Sequence, residues 1–351
     1  MQGMDRYNDI AIPIAWPDQT ARGDELWMSV LKKFGIVKNL NFRVGHAAIV
    51  LIEKSSGGLE YFDFGRYITP RGTGRARSAQ SDPRLALHTR AKFGKDGQLL
   101  NLLEILQELE GINYATHGAG RLLCSVCEGV SFAKGYEYAE GLVEYGPINY
   151  GALAPKNNSC SRYIAQILTR ALPAGDKRIR SILYPEFIKA SPTSNVVNAS
   201  SGGRAIFYEN GVMEERKMDR LDSLKFQLRQ LFDNFTISGA KKLGDDSKAG
   251  LLEEPPRPPA IPAHAQWLGG IGEGRWFTLS TSGSEYLISR YDPDGSIEFT
   301  VEAVPNQDFN PKEPYSFTFE VHYRRHTIIQ NDRTIVFSSQ ITILHKNAMN
   351  Y

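Results

Sequence analysis

The run Phe42-Arg43-Val44-Gly45-His46-Ala47-Ala48-Ile49-Val50-Leu51-Ile52 constrains the fold more than any other stretch. Apolar residues stand at odd and even positions alike. A strand built from them needs cover on both faces, which makes it a central strand between packed layers. His46 is its one ionisable group beyond Arg43. Lys54-Ser55-Ser56-Gly57-Gly58 supplies a turn, and Leu59 to Tyr67 reads as the returning strand. With a loop from Glu53 to Gly58, antiparallel pairing sets Gly65 opposite His46. Asp63 is then the diagonal neighbour on the same face, and Glu60 points to the other. A loop one residue longer or shorter exchanges the two. Asp63 is the preferred carboxylate for His46, and Glu60 the alternative.

Asn157-Asn158-Ser159-Cys160-Ser161-Arg162-Tyr163-Ile164 reads as a helix that begins at a cysteine. Ser159 is a good N-cap, because its hydroxyl accepts from a free first-turn amide. Tyr163, Ile164, Ile167, Leu168 and Leu172 recur at helical spacing, which puts Cys160 on the buried side of the helix start. The positive end of the helix dipole favours a thiolate there. The plainer reading of a free cysteine is a small buried hydrophobe.

Around these two features the chain divides. Residues 5–21 read as an irregular lead-in broken by Pro13 and Pro17. Asp24 to Phe34 has the pattern of an amphipathic helix stopped at Gly35. Residues 70–95 are polar and rich in Gly and Arg. They read as a long loop, either a solvated surface or a receiver of an anionic group. Helices are expected over Gln98–Glu110, Lys134–Tyr145 and Asp219–Phe235, with a short apolar run in Gly120–Val130. Asn210-Gly211 marks a hairpin within Ala205–Glu214. Residues 239–262 are charged and then proline-rich, as in an extended linker. Beyond them Arg275–Ser280, Glu285–Tyr291, Ser296–Ala303, Tyr315–Tyr323, Thr327–Gln330 and Arg333–Thr342 alternate as strands of a small barrel or sandwich. The expected division is residues 1–238, a linker at 239–262, and an all-β accessory domain over 263–351.

A net charge of +2 gives no reason to invoke nucleic acid. No apolar run reaches the length of a membrane span. The polar N-terminus lacks a signal-like apolar core, so the expected location is cytoplasmic. Three cysteines make no disulfide framework. Cys124-Ser125-Val126-Cys127 has dithiol or zinc spacing, but no second ligand pair accompanies it. Asp292-Pro293-Asp294-Gly295 reads as a hairpin turn, since it lacks the downstream glutamate of a calcium loop. Gly269-Gly270-Ile271-Gly272-Glu273-Gly274 has neither the preceding strand nor the following helix of a nucleotide fingerprint. Trp267, Trp276 and Phe277 are expected to close the β-module's core. Neither cofactor nor metal is called for, and the sequence does not set the oligomeric state.

A cysteine hydrolase needs a thiolate, an imidazole in contact with it, and a group that fixes the imidazole. Cys160, His46 and Asp63 supply these types. The order Gly45-His46-Ala47-Ala48-Ile49-Val50-Leu51, then Tyr61-Phe62-Asp63-Phe64-Gly65, then Asn158-Ser159-Cys160-Ser161-Arg162-Tyr163-Ile164 resembles the circularly permuted branch of the papain-like, NlpC-type superfamily. That branch includes lecithin–retinol acyltransferase-like proteins and bacterial cell-wall amidase relatives. The resemblance covers roughly residues 24–175. It implies an α+β fold, with a permuted papain-like core whose central antiparallel sheet packs on helices, followed by the small all-β domain. It implies Cys160 as nucleophile, His46 as base, Asp63 or Glu60 as the orienting residue, and the Cys160 amide in the oxyanion hole. The implied activity is hydrolysis or acyl transfer at an amide or ester, with cell-wall peptides and lipids among the candidate substrates. The alternative is an inactive binding or scaffold protein that keeps the fold.

Overall fold

A computed structural model describes residues 7–23, 30, 32–34, 40–151, 156–235, 243 and 252–343. The helix expected over Asp24–Phe34 lies largely outside these residues, with helical backbone at Val30, Lys32 and Lys33. Most of the charged half of the expected linker also lies outside them.

The strands of the first region are β1 (Asp9–Trp16), β2 (Thr20–Arg22), β3 (Asn41–Arg43), β4 (His46–Glu53), β5 (Gly58–Gly65), β6 (Thr73–Arg77), β7 (Leu122–Cys124), β8 (Cys127–Val130), β9 (Ile148–Asn149), β10 (Arg204–Glu209) and β11 (Val212–Lys217). The helices are α1 (Leu102–Gly111), α2 (Asn113–Thr116), α3 (Phe132–Tyr145), α4 (Cys160–Ala171), α5 (Lys177–Leu183), α6 (Pro192–Ala199) and α7 (Arg220–Phe235). The main sheet runs β11-β10-β7-β1-β4-β5-β6-β9, with β8 also against β1, and its pairs are antiparallel.

The continuous apolar pattern of β4 has the expected cause. Ala47, Ile49 and Leu51 pack with Phe62 and Phe64 beneath α3 and α4. Ala48, Val50 and Ile52 face the opposite layer with Tyr61 and the α1 leucines. The result is a mixed α/β region with helices on both faces of an antiparallel sheet.

Two expectations are corrected. The lead-in at 5–21 holds β1, a central strand that includes Pro13. β7 and β8 keep one register against β1 (Ile14↔Cys124, Ala11↔Cys127), and that ladder is interrupted between them, opposite Pro13. The missing proline donor therefore falls where no ladder bond is made. The loop at 70–95 contains β6, whose Arg75 and Arg77 are buried. They are neither a solvated surface nor open to an incoming anion.

The second region comprises β12 (Gln266–Leu268), β13 (Arg275–Ser282), β14 (Glu285–Tyr291), β15 (Ile297–Pro305), β16 (Ser316–His322), β17 (Arg325–Gln330) and β18 (Arg333–Ile343), in the order β12-β13-β14-β15-β18-β17-β16. Gln266 nearly closes this sheet into a barrel. Its amide donates to the Tyr315 carbonyl at 3.0 Å and its oxygen accepts from the Phe317 amide at 2.8 Å, which joins the two edges. Phe277, Ile288, Val301, Ile328, Ile335 and Phe337 fill the interior. The proline-rich segment lies on this module: Ile261 packs with Trp276 and Tyr291, and the Arg257 guanidinium sits 4.8 Å from the Trp276 ring centroid. A short strand, β12, does precede the Gly269–Gly274 loop, and β13 rather than a helix follows it.

Candidate functional site

Three pieces of local structure meet at one end of the main sheet. Gly45 (φ 73°) breaks the long apolar run before β4. An added Cβ there would stand 3.2 Å from Pro192 and 3.3 Å from the Trp16 carbonyl, so the tight approach favours glycine. His46 thereby begins β4 instead of continuing from β3. The hairpin pairs Ala48 with Asp63 and Leu51 with Glu60, the register expected from a loop between Glu53 and Gly58. Asp63 shares a face with His46. Glu60 lies on the other face, near Tyr136 and Glu140 of α3. The alternative carboxylate is thus set aside, because its strand position turns it away from His46.

α4 delivers the cysteine. Ser159 Oγ caps the helix by accepting from the Arg162 amide at 3.3 Å, and Asn158 Oδ1 accepts from the Ser159 amide at 3.0 Å. Tyr163, Ile164, Ile167, Leu168 and Ala171 are fully buried, at roughly 1.5–3 kcal/mol for each large side chain. They fix the helix against the sheet. Asn195 of α6 donates to the Ser161 carbonyl at 2.7 Å and braces the first turn. Cys160 stands half-buried at the first helical position.

The imidazole of His46 lies between two partners. Its Nε2 is 3.5 Å from Asp63 Oδ2 and 3.4 Å from the Tyr67 hydroxyl. The Cys160 thiol is close enough to the ring for each group to shift the other's pKa. Burial alone would lower the His46 pKa. The hydrogen bonds and charges of Asp63 and Cys160 outweigh it and raise the value to about 9. At Cys160 burial pushes the thiol up, but the hydrogen bond and charge of His46, with the Ser161 hydroxyl and Ala47 backbone, hold it below the ordinary value. Both shifts favour the charged forms of the pair.

Asp63 is fully buried and its oxygens are well occupied. Arg77 grips it in a fork, Nε to Oδ1 at 3.0 Å and Nη2 to Oδ2 at 2.6 Å, and the Tyr61 hydroxyl donates to Oδ2 at 3.1 Å. Burial would raise this carboxyl, and Arg77 and His46 hold it below its usual range. Trp16 stacks on His46 at 5.7 Å between ring centroids. Sequence reasoning missed Arg77, Tyr67 and Trp16. For Arg77 the signal was present as Thr73-Gly74-Arg75-Ala76-Arg77, which alternates, but its glycines and arginines read as a loop.

The Cys-x-x-Cys pair is not part of this site. Cys124 and Cys127 are separated by an odd interval on one strand line and face opposite core layers. Both are buried, and burial pushes each thiol up to about 12. They cannot act together as a dithiol. Among the described residues no group of three or more Cys, His, Asp or Glu could hold a metal ion.

The fold and this geometry define a class, an α/β protein with a Cys–His–Asp constellation where a helix start meets a sheet end. Residues 11–176, which include all three residues, match the model of a family described as type VI secretion system effector TseH-like. Residues 265–340 match the model of the DUF6695 C-terminal domain. A crystal structure of the type VI secretion system effector TseH resembles the chain at 16% identity and a TM-score of 0.40, covering 60% of this chain and 98% of that one. No curated protein matches the sequence. No helix among the described residues is long and apolar enough to cross a membrane.

Proposed function

We propose that this chain is a thiol hydrolase or acyltransferase acting on an amide or ester through Cys160, His46 and Asp63. One observation carries the reading: an imidazole 3.5 Å from a buried carboxylate is electrostatically coupled to a half-buried thiol at a helix start. The thiolate attacks the carbonyl carbon, and the carbonyl oxygen takes up negative charge opposite the free Cys160 amide. The imidazolium protonates the leaving amine or alcohol, and a thioester remains. His46 then takes a proton from water or another acceptor, which attacks the thioester and expels the thiolate, restoring the starting pair. Asp63 holds the ring and stabilises its cationic form. The permuted papain-like order of strand, strand and helix supports the same assignment at the level of fold.

The description of the matched family supports reading the chain as an effector; cell-wall peptide amides are the first substrate class to test and lipid esters the second. The experiment is turnover of both classes by the full chain and by Cys160→Ala, with mass-spectrometric mapping of iodoacetamide adducts. Expected are labelling at Cys160 ahead of the other thiols and loss of turnover in the variant. Undiminished turnover by Cys160→Ala would sink the proposal.

A further inference from the structure

The β-module reaches into the candidate site. Its Gly269–Gly274 loop lies along the segment that follows β5. The Ile68 amide donates to the Glu273 carbonyl at 2.7 Å, and the Gly272 amide donates to the Arg66 carbonyl at 2.9 Å. An added Cβ on Gly270 would stand 2.7 Å from the Ile68 nitrogen, so the two backbones touch. Ile68 holds φ at 45°, an uncommon value for a β-branched residue, and its side chain enters the barrel's core with Phe277 and Phe299. The residue before it is Tyr67, whose hydroxyl meets His46.

The Glu273 side chain continues the contact. Its carboxylate is almost fully buried, with Oε2 3.5 Å from Arg77 Nη1 and 3.3 Å from His117 Nε2. Oε1 meets Arg84 at 2.8 Å, Arg275 at 2.5 Å and Arg290 at 3.5 Å. Arg77 and His117 are the two walls of one sandwich. The Arg77 guanidinium lies 3.7 Å from the Tyr67 ring centroid, and the His117 ring stacks on Tyr67 at 4.8 Å. One carboxylate therefore ties the cation that grips Asp63 to the ring that backs Tyr67.

We propose that Glu273, supplied by the β-module, is a positioning residue for the Cys160–His46–Asp63 site, acting through Arg77 on Asp63 and through His117 on Tyr67. This rests on the reading of that site as a thiolate–imidazolium pair. The β-module is then a working wall of the site as well as an appended domain. A buried carboxylate facing several cations is costly to assemble unless its geometry is kept, and here that geometry sets the second layer around His46.

The test is the pH dependence of Cys160 alkylation by iodoacetamide in the full chain, followed by mass spectrometry. The wild-type rate is expected to rise through a limb below that of an ordinary thiol. Glu273→Gln keeps the side-chain shape but removes the charge that pairs with Arg77. It is expected to move the limb upward by about one unit and so lower the rate about tenfold at pH values below the limb. Glu298 is the control. It sits in the same buried network, against Arg84, Arg275 and Arg290, but touches none of Asp63, Tyr67 and His117. Glu298→Gln is expected to lower the melting temperature and leave the limb in place. Should Glu273→Gln not fold, His117→Phe retains the stack on Tyr67 and loses the link to Glu273, and a smaller upward shift is expected. An unmoved limb in a folded Glu273 or His117 variant overturns the inference, as does an equal shift in Glu298→Gln. A wild-type limb at the ordinary thiol value overturns the underlying reading of the site as well, so the two failures are told apart.

Discussion

His46 and His326 are both buried in strands, one in each region, and their environments drive them in opposite directions. His326 of β17 lies between Phe277 and Phe299, and neither ring nitrogen has a hydrogen-bond partner among the described residues. Burial, with the nearby charges of His322 and Arg290, pulls its pKa down to about 3. His46 is just as apolar in its strand neighbours, yet Asp63 and Cys160 raise it to about 9. The cysteines repeat the contrast. Cys124 and Cys127 rise to about 12 by burial, while Cys160 falls. Burial sets the default for each of these groups, and at His46 and Cys160 the partners outweigh it.

The sharpest way to break this comparison is to exchange the cysteines' expected roles. Cys160→Ala is expected to lower turnover at least about 10⁴-fold, as removal of a nucleophile does. Cys124→Ala and Cys127→Ala are expected to leave the rate per folded molecule unchanged. Assays on each variant, scaled to folded protein, decide it, and loss of rate in either of the last two would show that the buried thiols take part.

The next largest effect falls on Asp63. Asp63→Asn keeps the shape but removes the charge that raises His46, so turnover is expected to drop about 10²–10⁴-fold. It also leaves Arg77 buried without its carboxylate, at a cost of about 3–5 kcal/mol in unfolding free energy. Denaturant midpoints separate the two effects. A variant as stable as the wild type would show that Arg77 finds enough in Glu273, Asp82 and the Ala115 carbonyl.

The parts of this architecture differ in how plainly the chain announces them. The β4–β5 register was legible because a short glycine turn and alternation leave one parity. The cap at Ser159 and the stripe behind it were legible because both are local. β1 was hidden by Pro13, which only a break in the neighbouring ladder makes tolerable in a central strand. β6 was hidden because Arg75 and Arg77 look solvated until a buried carboxylate and the module's carbonyls are found to receive them. Glu273 carried no signal at all. Its role depends on how two regions dock, and no local pattern encodes that.

The two histidines also predict opposite slopes of stability against pH. His46 has a folded pKa raised from 6.5 to about 9, so its stabilisation is fully present below 6.5 and is lost as pH climbs through 9. His326 has a folded value lowered to about 3. The unfolded chain then binds a proton that the folded barrel refuses, so this contribution is present above 6.5 and is lost as pH falls toward 3. The slope is at most about 1.4 kcal/mol per pH unit for one group. His326→Phe removes the refused proton and leaves no unpartnered ring nitrogen between Phe277 and Phe299. It is expected to change stability by under about 1.5 kcal/mol at pH 7 and to gain on the wild type steadily from pH 6.5 to 4. Urea midpoints of the two proteins across that range isolate the term, because the acid-side losses from Asp63 and Asp82 are common to both. A constant difference would mean that His326 is protonated in the folded barrel, and that the contrast with His46 is one of degree rather than sign.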